Sequence, residues 1–583
     1  MLPGRSSRRL QIRLQGLRRS VASGSYVPRQ FPSLPPVASK SARTQMTSVK
    51  VDYSAYSHAD LLRRVHDLEA QLRNLNSSAH ARSHPSPAAK KKPKKAPKPF
   101  DPSRYNTRFI ALKFAYLGGN YNGFEHHANN TTPLPTIEET LWKALRKTRL
   151  IFPDFGGRSE EEVCWDGLEY SKCGRTDRGV SAFGQVIALK VRSNKPKAAP
   201  RQADGAVDGQ DTVEVKQPQW DPVRDELPYI QLLNRVLPPD IRVLAWCPSR
   251  APDFSARFSC KERRYRYFFT NPAYSTAPGS SEGCLDIAKM QEAAQKYEGL
   301  HDFRNLCKVD PSKQISNFER RIFHAGVHAV QPQDSSDSSK KPSLYYFEVR
   351  GSAFLWHQVR HLVAVLFLVG QGYEQPSLVD QLLDVQSCPG RPVYEMADDR
   401  SLVLWDCIFP AAKSLPGPDH IPVGLSTSGY EDNIEWVYVG DEAGGRDPAK
   451  RVVPGLGDGK YGRNGIMDEL WALWRKRRID EVLAGSLMDV VAQLGGGKDA
   501  LANGHAAPPN DAMSLASGVG IVSSSDRVFD GSDCPRTVGK YIPVMEREKM
   551  ETPDVVNARY AARKGLPPKM GGDAANVDAD MDE

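Results

Sequence analysis

The sequence lacks any run of apolar residues long enough to cross a bilayer. The longest, residues 362–369 (LVAVLFLV), is far shorter than the roughly 20 residues that a transmembrane helix needs. It also lacks a CxxC pair, and its nine cysteines are an odd number. A disulfide framework and a zinc ribbon are therefore not indicated, a reducing compartment is favoured, and no membrane partner is expected.

Acidic residues are nearly absent from the first part of the chain. Residues 1–51 contain no Asp or Glu, and residues 1–100 hold 20 Lys and Arg against four acidic residues, a net charge of +16. Since the whole chain carries +10, the remainder carries −6. If this slightly acidic body binds nucleic acid, it must do so through local basic patches and not through its overall charge.

The basic arm, residues 1–100, is predicted to be disordered apart from a short coiled-coil segment at 59–75. Its arginine-rich start is typical of a mitochondrial transit peptide and equally of a disordered basic tail, and Met46 offers a second start. The apolar residues from Leu61 to Leu75 alternate four and three apart. This spacing predicts a helix with one apolar face, which packs on a partner or on the remainder of the chain.

A lysine run at 90–95 (KKKPKK) ends this arm. Such a run indicates a nuclear localisation signal, a phosphate-binding segment or a solvated linker. We expect the protein in the nucleus and cytoplasm, with a mitochondrial form if the arginine-rich start is a transit peptide.

Strand and helix patterns alternate over residues 104–410, and some strand patterns follow one another directly. This arrangement predicts an α/β or α+β sheet and not a doubly wound parallel one. Strands are predicted at 108–116, 184–191, 241–246, 262–270, 320–330, 344–350 and 402–408, and helices at 137–150, 227–237, 285–297 and 354–369. The polar stretches 194–220 and 331–342 are predicted to be loop insertions.

The C-terminal region, residues 411–583, is loop-rich and predicted to be partly disordered. Residues 495–535 are rich in Gly, Ser and Ala, a composition that favours disorder. One helical segment is predicted at 467–487.

The densest group of chemically useful residues is 173–182 (CGRTDRGVSA). Glycines on both sides allow the backbone to turn tightly and approach a ligand. Asp177 lies between Arg175 and Arg178, whose charge favours its carboxylate form, and an ionised carboxylate in a pocket can act as a nucleophile. The alternative is a surface turn that Asp177 caps.

A second group, 263–267 (RRYRY), alternates arginine and tyrosine on a predicted strand. One face offers rings for base stacking, and the other offers guanidinium groups for phosphate. The alternative is an exposed strand whose tyrosines are half-buried.

A third group, 353–363 (AFLWHQVRHLV), begins an apolar helix. Arg360 there needs a carboxylate or phosphate partner. His357 and His361 are four residues apart, as metal ligands can be, but the glutamate of HExxH is missing and no third ligand is nearby. The alternative places both histidines in the core or in solvent. No P-loop, dinucleotide-binding or Ser-His-Asp motif is found.

In their order and spacing the three groups resemble the TruA family of tRNA pseudouridine synthases. The resemblance rests on GRTDRGVSA at 174–182, RRYRY at 263–267 and AFLWHQVRHLV at 353–363, and YNGF at 121–124 also fits. It covers about residues 105–410. The longer form CGRTDRGVSAFGQVI, the basic arm and residues 552–567 resemble the eukaryotic branch that acts on positions 38 and 39 of the tRNA anticodon stem-loop.

The resemblance implies a pseudouridine synthase fold, with two similar halves, a mixed, mainly antiparallel central sheet flanked by helices, and a basic cleft between the halves. It implies an isomerase that converts uridine to pseudouridine with Asp177 as the nucleophile. Tyr265 would hold the flipped uracil, Arg360 would pair with the catalytic aspartate, and Arg175 would hold the extruded nucleotide. Because the isomerisation is redox-neutral and moves no phosphate, no cofactor or metal is expected.

The expected partners are tRNA, through its anticodon stem-loop, and a second copy of the chain, since the family is often dimeric. Three other hypotheses stay open: an RNA chaperone that keeps the cleft, a relative acting at positions 27 and 28 or on other RNAs, and a metal enzyme using His357 and His361. A pure RNA binder needs none of Asp177, Tyr265 and Arg360, so their joint presence favours the enzyme.

Overall fold

The computed structural model describes residues 100–127, 132–197, 220–248, 253–275, 282–330, 343–410, 430–442, 459–462, 465–492, 494 and 525–566. Residues 1–99 of the basic arm, including the coiled-coil segment predicted at 59–75, most of the insertion 194–220 and all of the insertion 331–342 lie outside these residues. The chain divides into two units, Met1–Lys98 and Pro99–Glu583, and every element given below belongs to the second.

One large sheet organises the described part of the chain. Its ten strands are β1 (Asn106–Tyr116), β2 (Ser171–Lys172), β3 (Ser181–Ser193), β4 (Ile241–Cys247), β5 (Glu262–Asn271), β6 (Gly299–Asp302), β7 (Glu319–Ala329), β8 (Ser343–Gly351), β9 (Leu402–Ile408) and β10 (Val437–Tyr438). Their order is β10-β4-β1-β3-β9-β5-β8-β7-β6, with β2 paired to β3. Every pairing is antiparallel except that of β3 with β9. The predicted mixed, mainly antiparallel sheet is confirmed.

Helices flank this sheet, as predicted. They are α1 (Ile137–Lys147), α2 (Tyr229–Asn234), α3 (Ile287–Gln295), α4 (Gln358–Gly370), α5 (Leu378–Leu383), α6 (Ile466–Ala492) and α7 (Pro553–Lys564). Short 3₁₀ turns occur at Pro102–Arg104, Gly118–Asn120, Arg304–Leu306 and Val544–Glu546, and a second, small sheet pairs β11 (Asp526–Val528) with β12 (Arg536–Val538). Among the helices described here, none combines the length and apolar character that a membrane crossing requires.

Two hydrophobic cores divide the fold into halves. The first gathers buried side chains of β1, β3 and β4 with those of α1 and α2. The second gathers side chains of β5, β7 and β8 with those of α3 and α4. The ring of Tyr265 on β5 packs against both cores. Each core thus combines three antiparallel strands with helices, and the second core also contains Leu378, Val379 and Leu382 of α5.

Local sequence signals explain where two helices begin. The Oγ1 of Thr136 accepts a hydrogen bond from the Glu139 amide at 3.2 Å and caps α1, as the Thr-x-x-Glu spacing predicts. The α4 helix was predicted from residue 354 but begins at Gln358. The reason is His357, whose φ of 59° is left-handed and cannot continue a right-handed helix.

The C-terminal region contains more structure than its composition indicates. Helix α6 lies where a helix was predicted at 467–487, with longer bounds. In contrast to the disorder expected over 495–535, residues 525–535 pack on the second half. Phe529 is buried, and its amide donates to the Gln371 side chain at 2.7 Å while its carbonyl accepts from the same side chain at 3.0 Å. A few apolar side chains hold this segment against the second half. The average composition of residues 495–535 does not reveal them.

Candidate active site

The loop that carries Asp177 joins β2 to β3 and is clamped on both sides. The buried Thr176 Oγ1 lies 2.7 Å from the Tyr116 hydroxyl, and the Thr176 carbonyl accepts from the Phe124 amide at 3.0 Å. The Val180 amide then donates to the Asp177 carbonyl at 3.2 Å and closes the turn. These bonds fix the backbone on which Asp177 is presented.

Two glycines of left-handed backbone make this clamp feasible. Gly123 has φ +83°, and a Cβ there would lie 2.9 Å from the Thr176 carbonyl oxygen. Gly179 has φ +81°, and a Cβ there would lie 2.5 Å from an Asp399 carboxylate oxygen. Since any side chain would collide and strain the backbone, these glycines bring the YNGF turn and the Asp399 loop against the Asp177 loop.

The side chain of Asp177 is partly exposed and faces His357. Its Oδ2 lies 3.3 Å from His357 Nε2, with relative side-chain exposures of 30% for the aspartate and 8% for the histidine. The Nδ1 of His357 is buried and has no hydrogen-bond partner among the described residues. The sequence offered His357 as a metal ligand or as a residue of the core or the surface, and its contact with Asp177 was not foreseen.

Arg360 lines the same cavity but has a different partner from the one expected. Its Nε donates to the Ala397 carbonyl at 2.7 Å, and its guanidinium lies 3.9 Å from an Asp399 carboxylate oxygen. Between the described residues Arg360 and Asp177 no ion pair of 4.0 Å or less is formed. Burial raises the pKa of Asp399 above its ordinary value even though Arg360 opposes the shift. The expected Arg360–Asp177 pair is thus replaced by Arg360–Asp399 and His357–Asp177.

Tyr265 projects from β5 into the cavity beside the other predicted side chains. Its ring meets that of Phe354 edge to face, with centroids 5.0 Å apart and an interplanar angle of 80°. Burial raises the pKa of the Tyr265 hydroxyl well above its ordinary value, so this group is protonated at neutral pH. A ring held in this way is a suitable platform for a flat base.

Arg175 lies at the edge of the cavity in a small charge network. Its Nε is 3.1 Å from a Glu125 carboxylate oxygen, and Lys172 Nζ lies 2.9 Å from Glu125 and 2.9 Å from Glu138. Burial opposes ionisation of Glu125, but Lys172 and Arg175 hold the pKa of its carboxyl below the ordinary value. Arg175 keeps a side-chain exposure of 37%, so solvent and ligand can reach its guanidinium.

All four predicted side chains, Asp177, Arg360, Tyr265 and Arg175, line one cavity of about 530 Å³. Nine lysines and arginines line it against three acidic residues, although residues 101–583 are acidic as a whole. The basic lining residues are Lys172, Arg175, Arg178, Arg257, Arg263, Lys308, Lys313, Arg320 and Arg360. This local excess of positive charge agrees with the basic cleft that the resemblance implies, and it suits a polyanion.

The histidine pair does not assemble a metal site. His361 contacts the Arg391 guanidinium, with nitrogen–nitrogen distances of 3.2 and 3.4 Å, while His357 contacts Asp177. Burial, followed by the charge of Arg391, lowers the pKa of His361 well below its ordinary value. The imidazole rings of His357 and His361 therefore contact different side chains.

Three cysteines distant in sequence meet behind the Asp177 loop. The Sγ atoms of Cys173, Cys260 and Cys407 all lie within 4.8 Å of one another and are buried. A structural zinc site takes four protein ligands, whereas a catalytic one takes three and a water, and this group supplies three from the described residues. The pKa of the Cys173 thiol is raised by burial, and the Arg263 guanidinium donates to the Cys173 carbonyl at 3.1 Å. Burial opposes ionisation of the Cys260 thiol, but its hydrogen bonds with Cys173 and Cys407 and the charge of Arg263 lower its pKa well below the ordinary value.

Sequence reasoning missed Asp399, Glu125 and the role of His357. His357 stands inside the third motif, so its position there was an available signal. Asp399 follows α5 in an Asp-Asp-Arg turn that carries no recognisable pattern, and only the tertiary structure brings it to Arg360 and Gly179.

Comparisons with known proteins agree with this geometry. A family model described as tRNA pseudouridine synthase matches residues 293–410. The chain is similar to a tRNA pseudouridine(38/39) synthase of Saccharomyces cerevisiae, with 40% identity over 367 residues, 61% of this chain and 72% of that protein. It is also similar to a protein of the same name from Homo sapiens, with 42% identity over 386 residues, 65% of this chain and 67% of that protein.

More distant relatives share the same region. A tRNA pseudouridine synthase A of Methanothrix thermoacetophila is 30% identical over 300 residues, which cover 51% of this chain and 82% of that protein. With the sheet, the basic cavity and its converging side chains, these similarities establish that the chain belongs to the TruA family of tRNA pseudouridine synthases.

Proposed function

We propose that this protein isomerises uridine to pseudouridine at positions 38 and 39 of the tRNA anticodon stem-loop. The observation that carries the proposal is the convergence of Asp177, Tyr265 and Arg360 on one basic cavity from three distant segments. The activity named for the yeast and human relatives supports the choice of positions.

In the proposed reaction, the Asp177 carboxylate attacks the target uridine, either at C1′ of the ribose or at C6 of the base. The bond between N1 and C1′ breaks, the uracil rotates, and a bond between C5 and C1′ forms. The bond to Asp177 then breaks and the carboxylate is regenerated. The proton on C5 leaves and N1 gains one, so that the product is an isomer of the substrate. No oxidant, reductant or phosphoryl donor takes part.

The cavity's other side chains support the reaction by holding the nucleotide. The target base must leave the stem or loop stack before Asp177 can reach it, which costs a few kcal/mol. Stacking on the Tyr265 ring offsets part of this cost. Arg175 and its basic neighbours bind the phosphates beside the extruded nucleotide, and Arg360 neutralises the carboxylate of Asp399.

The test uses the full chain and a tRNA carrying uridine at positions 27, 28, 38 and 39. Pseudouridine is mapped to single positions after single-turnover incubation. Formation at 38 and 39 supports the proposal, formation at 27 or 28 moves the protein to another branch of the family, and formation at no position supports the RNA-chaperone hypothesis. Zinc content of the purified protein tests the metal-enzyme hypothesis.

The nucleophile is tested with Asp177→Asn, which keeps the shape of the side chain. We expect product formation to fall at least about 10³-fold, because a neutral amide cannot replace the attacking carboxylate. The affinity for tRNA is expected to change little, since phosphate contacts dominate it. Equal rates for the variant and the parent protein would remove Asp177 from its assigned role.

A homodimer is part of the proposal, and helix α6 supplies a surface for it. Leu483, Leu487 and Val490 are spaced four and three residues apart, with exposures of 63%, 64% and 53%. Apolar residues at this spacing form a seam that a second copy of the same helix matches. Light scattering is expected to show a dimer for the parent protein and a monomer for Leu483→Glu/Leu487→Glu. Leu470→Glu, on another face of the helix, should stay dimeric.

Localisation in the nucleus and cytoplasm is also proposed, on the lysine run at 90–95. A mitochondrial form depends on the arginine-rich start. Tagged proteins that begin at Met1 and at Met46 separate the two, since only the longer one is expected to enter mitochondria.

A further inference from the structure

His357 occupies a conformation that ordinary residues avoid. It is the residue directly before α4, with φ 59° and ψ 8°. A left-handed backbone at a residue other than glycine is uncommon, and it persists where the surrounding structure imposes it, often at functional sites. In this conformation the chain turns abruptly, and the imidazole of His357 meets Asp177 instead of following the axis of the helix.

The surroundings of the imidazole hold it firmly. Its side chain is only 8% exposed, and the neighbouring Trp356 ring lies 4.6 Å away, centroid to centroid. The ammonium group of Lys308 lies 4.4 Å from the centroid of the Trp356 ring. At the following residue, the Gln358 side chain accepts a hydrogen bond from the Leu355 amide at 2.8 Å and secures the start of the helix.

The two ring nitrogens of His357 have different environments. Nε2 lies 3.3 Å from Asp177 Oδ2, which is within ion-pair distance. Contacts of this length at catalytic groups commonly shorten to hydrogen bonds when the substrate binds. Nδ1 is buried without a hydrogen-bond partner in the part of the chain that is described. Asp177 is therefore the polar group that the buried imidazole of His357 contacts.

We propose that His357 is a positioning residue for Asp177, an inference that rests on the proposed function. The Nε2–H group donates to Oδ2 and fixes the rotation of the carboxylate, so that Oδ1 is left to attack the uridine. His357 forms no bond to the substrate and transfers no proton. The resemblance assigned the holding of the aspartate to Arg360, but Arg360 is engaged by Ala397 and Asp399.

The test compares two variants that carry the same backbone strain. His357→Gln retains an N–H donor near the position of Nε2, whereas His357→Leu has similar bulk and no donor. Neither is glycine, so both meet the same left-handed conformation. Steady-state kcat and KM for full-length tRNA and the temperature of thermal unfolding are measured for both variants and for the parent protein.

We expect His357→Leu to lower kcat by about 10- to 100-fold, the loss that follows when the orienting partner of a metal ligand is removed, with KM within about twofold. His357→Gln should recover most of the loss while both variants unfold at the same temperature. A merely structural role would lower stability in both variants, and glutamine would not restore the rate.

Three results would overturn the inference. The first is a rate for His357→Leu equal to that of the parent protein. The second is a raised KM with unchanged kcat, which assigns His357 to RNA binding. The third is loss of activity in both variants together with loss of stability. If the parent protein itself forms no pseudouridine, the proposed function fails instead, and the inference is overturned with it.

Discussion

The guanidinium of Arg360 faces the carboxylate of Asp399 at 3.9 Å, and not that of Asp177. Asp399 in turn lies so close to Gly179 that a Cβ on the glycine would collide with it. Asp399 thus touches the loop of Asp177 and the side chain of Arg360 at once. Two carboxylates share the region around this arginine, and the direction in which its fork points decides which of them is neutralised.

Replacing Arg360 by lysine tests the importance of this fork. Lysine keeps the positive charge but cannot reach the Ala397 carbonyl and the Asp399 carboxylate together, because it lacks the planar guanidinium. Since a hydrogen bond to a charged group contributes about 1.5–3 kcal/mol, we expect kcat to fall by about 10- to 100-fold. Arg400→Lys is the control, since Arg400 is exposed and pairs with Asp398 and Asp533. Equal losses in both variants would show that the fork is not special.

Local patterns predicted the elements well because they depend on neighbours in sequence. The alternation of Ile110, Leu112, Phe114 and Tyr116 predicted β1, and Thr136 predicted the start of α1. In contrast, His357 broke the helix pattern through its φ angle, which no hydrophobic period records. The four expected site residues all line one cavity. They could be predicted because three complete motifs identified them, whereas single residues would not have sufficed.

The partners of these residues could not be predicted from local patterns. The Arg360–Asp399 and His357–Asp177 contacts join segments that are 39 and 180 residues apart, and only the folded sheet brings them together. The parallel contact between β3 and β9 is of the same kind, since it depends on how two halves meet. A charged side chain shows that a partner is needed, but it does not identify that partner.

Gly123 provides a test of how exactly the Asp177 loop must be placed. In Gly123→Ala the new methyl group would lie 2.9 Å from the Thr176 carbonyl oxygen, on a backbone with φ +83°. The loop must shift, and a displacement near 1 Å at a reactive group costs about 100-fold in rate. We expect that loss in kcat when tritium release from 5-tritiated uridine in tRNA is measured.

The matched control is Gly119→Ala in the same turn. A Cβ at Gly119 meets no atom within 4 Å, so this variant should react at nearly the parental rate. The comparison separates displacement of the loop from a general effect of replacing glycine. If Gly123→Ala were as active as Gly119→Ala, the close approach of the two loops would have no catalytic importance.

Arg175 is expected to contribute to RNA binding through a phosphate contact. Arg175→Gln should weaken tRNA binding and reduce the slope of log K against log salt concentration by about one, since one fewer counterion is released. Binding titrations between low and physiological salt measure this slope. Arg158→Gln is the control, because Arg158 pairs with Asp166 outside the residues that line the cavity. An unchanged slope for Arg175→Gln would show that its guanidinium meets no phosphate.

Glu442 gives the fold a pH-dependent stability that is independent of the active site. This buried carboxylate accepts from the Ile230 amide at 2.9 Å and from the Gln231 amide at 3.3 Å. Burial outweighs these bonds and raises the pKa of Glu442 from 4.5 to about 7. Between these two values the native state binds more protons than the unfolded chain. The free energy of unfolding therefore falls as pH rises through this interval and is constant above it.

Glu442→Gln should remove this dependence because glutamine has no charge to bury. A shift of this size corresponds to roughly 3 kcal/mol, and losing the bond from the Gln231 amide offsets about 1 kcal/mol of the gain. We expect the variant to unfold with a higher free energy than the parent protein at pH 8 and without that advantage at pH 4.5. Denaturant titrations at both pH values measure the difference, with the exposed Glu435→Gln as control. A variant that is less stable than the parent protein at pH 8 would mean that the Glu442 carboxylate stabilises the fold when charged.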